Sequence, residues 1–563
     1  MSSPVINALR RLGILAALLG IIGTLAGTPA VADSYTPIAG AGSTWAENAV
    51  DEWRRAVNQY GMRISYAGTG SSDGRRQFLS GTVDFAVSDI PFQTNPTDGS
   101  AAERPASGSY AYMPIVAGGT VFMYHLTVNG KRVTNLRLSG DVVTKIFTGA
   151  IKTWDDPVIK ADNPGLQLPH RTIVPVVRSD GSGSTAQFTM WMANQHRSLW
   201  NAYCAKVGRS GACGQTSYYP TVSGMIAQSG DLGVAGYVAQ NYGEGAIGYV
   251  NYSYAINARY PVAKVLNHAG YYTEPTPSNV AVSLLKAKIN TNKSSADYLT
   301  QQLNGVYNDT DRRNYPLSSY SYMILPLKVQ GTFTKDKGKT LGAFSYYFMC
   351  QGQQQAPKLG YSPLPINLVQ AGFDQIRRIP GVKTQNINIK NCNNPTFTTS
   401  GQNRLAQTAP YPAACDKKGA APCSTGTGGT KSNTSNNGGG TSGGSGGSTS
   451  GGATGTGGDT GGSAGGSSAT PSVDPDTGQT ISPDGTGSDG TGSSAGTTAG
   501  GTVALAQPVA VATAHGWTAT QTLMLLAAVL VFGLLLLPSL VSRLVGNKGD
   551  GKGNGPAGDG STR

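Results

Sequence analysis

The chain has 563 residues, 78 of them glycine, and a formal net charge of +13, although only 13% of its residues are charged. No Lys/Arg run is interleaved with aromatics, which speaks against nucleic-acid binding. The six cysteines show no C-x2-C spacing, which speaks against a zinc site.

Taken in chain order, residues 1–32 read as a signal peptide. Arg10-Arg11 form a short basic region, Leu12 to Ala26 is apolar, and Ala30-Val31-Ala32 fits a cleavage site. Gly40-Ala41-Gly42-Ser43-Thr44-Trp45 then precedes a helix predicted over Ala46–Tyr60, where Ala49, Trp53 and Val57 recur at i, i+4, i+8 as one buried stripe. Strand-like Arg63–Ala67 leads into Gly70-Ser71-Ser72-Asp73-Gly74. Further strands are expected at Val83–Val87, Gly119–Tyr124, Ile173–Val177 and Ala246–Val250. Further helices are expected at Ser139–Phe147, Ala186–Met192, Ser278–Asn290 and Asn367–Ile376. After the Ile173–Val177 strand stands a third Gly/Ser stretch, Arg178-Ser179-Asp180-Gly181-Ser182-Gly183-Ser184-Thr185.

Each of the three Gly/Ser corners opens a helix, and free backbone N–H groups at such a terminus face an anion. Glycine permits close approach and the hydroxyls add neutral donors. Three corners converging on one point would make an oxyanion site. The alternation of strands and helices argues α/β architecture, with parallel sheet covered on both faces and ligands at the strand carboxyl ends.

Cys204, Cys213, Cys350, Cys392, Cys415 and Cys423 form an even set in an exported chain and read as disulfides. Nearest-neighbour closure would pair 204–213, 350–392 and 415–423, and the sequence leaves other pairings open. From 424 to 502 the composition turns to Gly, Ser, Thr and Asp, too polar to offset its ordering entropy. This is an expected disordered tether spanning roughly 50 Å root-mean-square. Residues 519–541 are apolar and long enough to cross a bilayer. The basic tail 542–563 would lie in the cytoplasm and the bulk of the chain outside.

Several stretches together become recognisable: Gly40–Thr44, Tyr66–Ser72, Val83–Asp89, Lys145–Ile151 with Trp154–Pro157, Arg178–Gly183 and Gly245–Val250, then Tyr315-Pro316-Leu317 and Leu364-Pro365. In order and spacing, over about 35–380, the set resembles the phosphate-binding protein of bacterial high-affinity phosphate ABC importers. The resemblance implies a two-lobed, Venus-flytrap periplasmic-binding-protein fold, each lobe a mostly parallel sheet flanked by helices. Lobe 1 would comprise 33–116 and 315–382, and lobe 2 residues 117–314. The segment 383–423 lies beyond the resemblance and is expected to be a disulfide-pinned extension.

Carried over position by position, the resemblance makes Thr44, the Trp45 N–H, Ser71, Asp89, Arg178, Ser182, the Gly183 N–H and Ser184 the phosphate ligands, with Asp180 orienting Arg178. Asp89 would accept a hydrogen bond from protonated phosphate and repel sulfate, which has no proton to give. Asp73 departs from the family, which has glycine there, Trp45 replaces phenylalanine, and Ser184 replaces threonine. Each residue also has a plainer use: Thr44, Ser71 and Ser182 as helix caps, Asp89 in a turn before Pro91, Arg178 in a surface ion pair.

The expected partners are inorganic phosphate, an ABC permease with its ATPase, and the membrane through the C-terminal helix. No cofactor and no enzymatic activity are expected. Two rivals are a surface-displayed phosphate scavenger or adhesin, and a hydrolase or phosphatase using Ser72 of Gly70-Ser71-Ser72-Asp73-Gly74, which matches G-x-S-x-G.

Overall fold

The computed structural model describes residues 34–209, 213–398 and 400–431, with two-residue strands at 472–473 and 480–481. The expected signal peptide, the tether from 432 onward apart from those strands, the 519–541 helix and the basic tail lie outside the described residues. Among the described residues no helix is long and apolar enough to cross a membrane. Contacts divide the chain into Met1–Gly446 and Gly447–Arg563. In the second unit, Ser472–Val473 pairs antiparallel with Thr480–Ile481.

The first unit begins with strand β1 (Ile38–Gly42), helix α1 (Glu47–Asn58), β2 (Ile64–Ala67), α2 (Ser71–Leu79), β3 (Phe85–Ser88) and the long β4 (Tyr110–Tyr124). It continues with β5 (Val174–Arg178), α3 (Gly183–Gln195), β6 (Ile226–Gln228), α4 (Gly230–Ala239), β7 (Ala246–Asn251) and β8 (Val262–Leu266). The chain returns through β9 (Ser318–Pro326), α5 (Lys335–Cys350) and α6 (Ile366–Ile376). The predicted stripe of α1 is buried, with Ala49, Trp53 and Val57 all at 0% exposure. Trp53 stacks on Phe348 of α5 at 4.7 Å between centroids. The helix expected over 278–290 stops at Leu284, because Lys288–Ile289 turns extended to pair with Gln301–Gln302.

The sheet order is β2-β1-β3-β9-β4-β7-β5-β6, with β8 also on β4. The outer strands are parallel: β1 with β2 and β3, β5 with β6 and β7. The centre is not, which corrects the expectation of mostly parallel sheets. β9 runs antiparallel to β3 and β4, and β7 antiparallel to β4. The cause is connectivity. The chain leaves the first half of the sheet along β4 and re-enters along β9, and a pair of opposed crossings must be antiparallel. β4 meets β9 from Tyr110 to Gly119 and β7 from Thr120, opposite Asn251, to Tyr124, opposite Ile247. The sheet therefore changes partners between Gly119 and Thr120.

All six cysteines are paired as 204–213, 350–392 and 415–423. The second bond ties α5 to the segment after α6. That segment then reaches across the molecule. Thr396 Oγ1 and Asn394 Nδ2 donate to Leu364 O at 2.8 and 3.0 Å. Farther on, Arg313 Nη1 donates to Ala406 O at 3.0 Å, and Lys264 pairs with Asp416 at 2.7 Å. Arg137, 1% exposed, donates to Cys415 O at 2.7 Å and also holds Ala420 O.

Contacts continue past Cys423 into residues assigned from composition to the tether. Thr427 N donates to Thr134 O at 2.9 Å, and Lys431 pairs with Glu274 at 3.1 Å. Gly428 has φ +56, and a Cβ there would lie 2.8 Å from Tyr260 O. The glycines at this point serve close approach, not flexibility.

Candidate anion-binding site

The first corner follows β1. Gly42 has φ +138 and its Cα abuts the Val87 carbonyl, so no side chain fits there. Ser43 N donates to Val87 O at 2.8 Å, which turns Ser43 and Thr44 toward the end of β3. Thr44 Oγ1 donates to Asp231 Oδ2 at 2.6 Å and accepts from Asp231 N at 3.1 Å. The Thr44 and Trp45 N–H groups carry no hydrogen bond to another described residue. The Trp45 ring is buried, and its Nε1 donates to Thr120 Oγ1 at 3.1 Å.

The second corner follows β2. Ser71 Oγ donates to Asp89 Oδ2 at 3.2 Å, and Asp89 N donates back to Ser71 Oγ at 3.3 Å. Asp89 ends β3 at 2% exposure and also accepts from Ser43 Oγ at 2.8 Å and Ser321 Oγ at 2.9 Å. Burial pushes its carboxyl up to about 6, against the hydroxyl bonds from Ser43, Ser321 and Ser71 that favour the charged form.

The third corner follows β5. Arg178 is 3% exposed, so it makes no surface ion pair. Its Nε donates to Asp180 Oδ1 at 2.7 Å, Nη2 holds Asp180 Oδ2, and Nη1 holds Asp231 Oδ2. Burial works against its charge, but Asp231 and Asp180 beside it outweigh that and keep it protonated. Asp180 is held below the usual carboxylate range despite partial burial, because Arg178 bonds it and Gly230 N donates to it at 3.0 Å.

Ser182 caps α3, accepting from Thr185 N at 3.1 Å. The Ser184 hydroxyl is buried and has no partner among the described residues. Such a buried hydroxyl, set beside the other corners, is free to donate to an anion.

The corners meet. A Cβ on Gly183 would stand 2.5 Å from Ser71 Oγ and 2.7 Å from Asp89 Cβ. Ser72 N donates to Gly181 O at 2.9 Å, and Gln187 Nε2 donates to Asp89 O at 2.8 Å. Thr44 and Asp89 lie just past β1 and β3 and Ser71 opens α2, while Arg178 ends β5, Ser182 caps α3 and Gly183 and Ser184 begin it. At the rim, Thr216 Oγ1 donates to Asp98 Oδ2 at 2.6 Å, beside a cavity of about 460 Å³ lined by Ser72, Arg75, Glu103 and Tyr218.

Asp73 turns away from this cluster. Its carboxylate bonds Arg76 and Gln77 along its own helix and is 29% exposed. Burial is slight, and the bonds from Arg76, Thr69 and Gln77 hold it below the usual range. Ser72 lacks the surroundings of a nucleophile. Its Oγ accepts from Arg75 Nη2 at 3.3 Å, while His125 faces Glu244, His170 faces Asp155 and His196 packs on Trp191.

Sequence reading missed three members. Ser43 and Ser321 hold Asp89, and Asp231, 0% exposed, holds Thr44 and Arg178 together. Asp231 had a legible signal: Gln228-Ser229-Gly230-Asp231 is a fourth strand–Gly/Ser–helix corner, between β6 and α4. Ser321, in mid-strand, had none.

This arrangement is a buried cluster of helix N-termini and hydroxyls around one guanidinium, set between two halves of an α/β sheet. A family model described as a PBP superfamily domain matches residues 27–351, more than half of the chain. Phosphate-binding protein PstS of Pasteurella multocida is 31% identical over 353 residues, covering 62% of this chain and 92% of that protein. PstS of Methanocaldococcus jannaschii is 29% identical over 353 residues, covering 60% and 85%. PstS2 of Mycobacterium bovis is 29% identical over 339 residues, covering 58% and 82%. Among solved structures, the phosphate-bound periplasmic phosphate-binding protein PfluDING aligns with TM-score 0.46 at 18% identity, covering 62% of this chain and 100% of that one. The chain belongs to the PBP superfamily and, within it, to the family of these PstS relatives.

Proposed function

We propose that the protein is an extracytoplasmic receptor that binds inorganic phosphate and delivers it to an ABC permease and its ATPase. The observation that carries this reading is the convergence of three Gly/Ser corners, Asp89 and Arg178 on one buried point. Thr44, Ser71 and Ser184 offer hydroxyls, and Trp45 and Gly183 offer N–H groups. A dehydrated anion is held by many neutral donors and helix termini, with one guanidinium supplying charge. Ser182 supports the site as cap of α3. Asp180 orients Arg178 by taking its Nε and Nη2 together, so that Nη1, which Asp231 holds in the ligand-free protein, is the group that would turn to the anion.

The function is binding with closure of two lobes, 33–116 with 315–382 and 117–314, and requires no bond-making chemistry. The lobes hinge where β4 changes partners, near Gly119, and where the chain returns near Tyr315. Only the closed form presents both sets of donors, so phosphate shifts the population toward it. Export by residues 1–32 and anchoring by 519–541 complete the reading.

The test is calorimetric titration of the purified chain with phosphate and, separately, sulfate, after unfolding and refolding to strip carried ligand. Tight one-to-one phosphate binding without sulfate binding is expected. Binding of neither overturns the reading.

A further inference from the structure

The least expected feature of the site is its charge. The site holds one guanidinium, Arg178, and three buried or half-buried carboxylates: Asp180 and Asp231, which Arg178 bonds, and Asp89, whose charge acts on Asp231. Two of the three have evident uses: Asp89 gathers serine hydroxyls and Asp180 locks the Nε edge of Arg178. Asp231 does something different. Its Oδ2 occupies both Thr44 Oγ1 and Arg178 Nη1, two of the groups that the receptor reading assigns to the ligand. Its Oδ1 is fixed by Asn251 N at 2.7 Å, so the carboxylate is held at the end of β7 and is not free to swing out.

We propose that Asp231 is a positioning residue that couples ligand entry to a proton. The anion and the ionised Asp231 compete for the same two donors. When the anion enters, a proton from solvent binds Asp231 Oδ2. The Arg178–Asp231 ion pair is replaced by one between Arg178 and the anion, and the Asp231 O–H becomes a donor where the carboxylate was a rival acceptor. The site gains one negative charge from a monoanion and loses one at Asp231. This rests on the receptor reading and names the form in which its ligand is held.

The groups facing Asp231 favour this direction. Among the charged groups, Arg178 opposes protonation. Asp180 beside it, Asp89 on β3, Glu47 on α1, and the buried Tyr254 and Tyr361 provide either negative charge or a dry wall. Burial pushes the Asp231 carboxyl up even before an anion arrives, against the pull of Arg178 and the hydrogen bonds from Thr44 and Asn251.

The experiment uses the whole chain and inorganic phosphate, titrated between about pH 5.5 and 8.5 in buffers of different ionisation heat. Such pairs of titrations count protons taken up. The wild type is expected to take up a proton beyond those exchanged by phosphate itself, and its affinity should fall more steeply with pH than phosphate ionisation accounts for. Asp231→Asn is expected to lose the extra proton and to bind about tenfold tighter than wild type near pH 8. An extra proton that persists in Asp231→Asn belongs to another group, such as Asp89, and overturns the proposal. So does a wild type that binds with no extra proton, which decides the matter even where the variant does not fold. No phosphate binding at any pH overturns the receptor reading instead.

Discussion

Gly183, the first residue of α3, lies against Asp89 at the end of β3, so that a methyl group on its Cα would fall 2.7 Å from Asp89 Cβ and 2.5 Å from Ser71 Oγ. The contact joins strands from the two halves of the sheet and leaves no room for a side chain. Gly183→Ala is therefore expected to hold the halves apart without unfolding either. Phosphate affinity should fall at least about a hundredfold, because the two sets of donors no longer close on one ligand. Titration calorimetry beside a thermal melt separates this from general destabilisation.

Arg178 sits between two carboxylates that have no other cation among the described residues. Arg178→Ala should cost stability as well as affinity, on the order of 3–5 kcal/mol, since it leaves buried charges unpaired. Arg178→Lys keeps the charge but cannot grip Asp180 with two N–H groups and present a third toward Asp231 and the anion. It is expected to fold near wild-type stability and to bind phosphate at least about a hundredfold more weakly. Chemical denaturation and ligand titration of both variants check this.

Asp89 is the proposed basis for rejecting sulfate. Asp89→Asn keeps the shape and the contacts with Ser43, Ser71 and Ser321, but presents an amide to the anion. Sulfate, which the wild type is expected to reject, should then bind, and the preference for phosphate should shrink by about 10²–10³-fold. Retained selectivity in this variant would mean that Asp89 has a scaffolding role only.

The same carboxyl makes stability depend on pH. Its folded value is raised to about 6, and Glu47, buried beside Asp51 and Asp231, is raised to about 7. For an acid raised on folding, the stabilising contribution is complete below its unfolded pKa of about 4 and is lost as pH climbs through the folded value. The ligand-free protein should therefore melt at progressively lower temperature from about pH 4.5 to 7. Asp89→Asn should flatten the lower part of that slope and Glu47→Gln the upper part. Asp180, lowered on folding, acts in the opposite sense and only at more acid pH.

Two disulfides hold the segment after α6, and their loops differ in length. Cys350 and Cys392 are separated by 42 residues, Cys415 and Cys423 by 8. Chain entropy assigns about 4 kcal/mol to the first and about 2.5 kcal/mol to the second. Replacing Cys350 and Cys392 by serine should lower the melting temperature more than replacing Cys415 and Cys423. Asp73→Ala, in contrast, should leave phosphate affinity within about twofold of wild type, because that side chain serves Arg76 and Gln77.

The Gly/Ser corners were legible because their chemistry is local: strand, small residues and helix follow each other within a few positions. What escaped notice depended on distant parts of the chain. α5 was not foreseen, since Gly338 and Gly342 lower helix propensity. They are there because the backbone at Pro380 and the Val382 side chain press on that face. β4 was read only from Gly119 onward, since Pro114 interrupts its pattern. In the sheet, Pro114 stands at a register shift opposite Ser321 and Tyr322. The extra residue, Ile115, lies on β4, so β9 runs past it unbroken, and Ser321 donates to Asp89, a role no local pattern could announce. The segment 383–423 was legible only as a disulfide-pinned extension, because its carbonyls meet Arg137 and Arg313, residues far earlier in the chain.

That segment also decides how the molecule bears tension. Before the chain passes Lys431 it is fastened to β8 through Thr427, to Arg137 through the Cys415–Cys423 loop and to α5 through Cys392. A pull transmitted from beyond Lys431 meets these fastenings in series, the Glu274 ion pair first and the covalent Cys350–Cys392 link last. The load falls first on Lys431, Thr427 and the Cys415–Cys423 loop, all far along the chain from Ser71, Asp89 and Arg178.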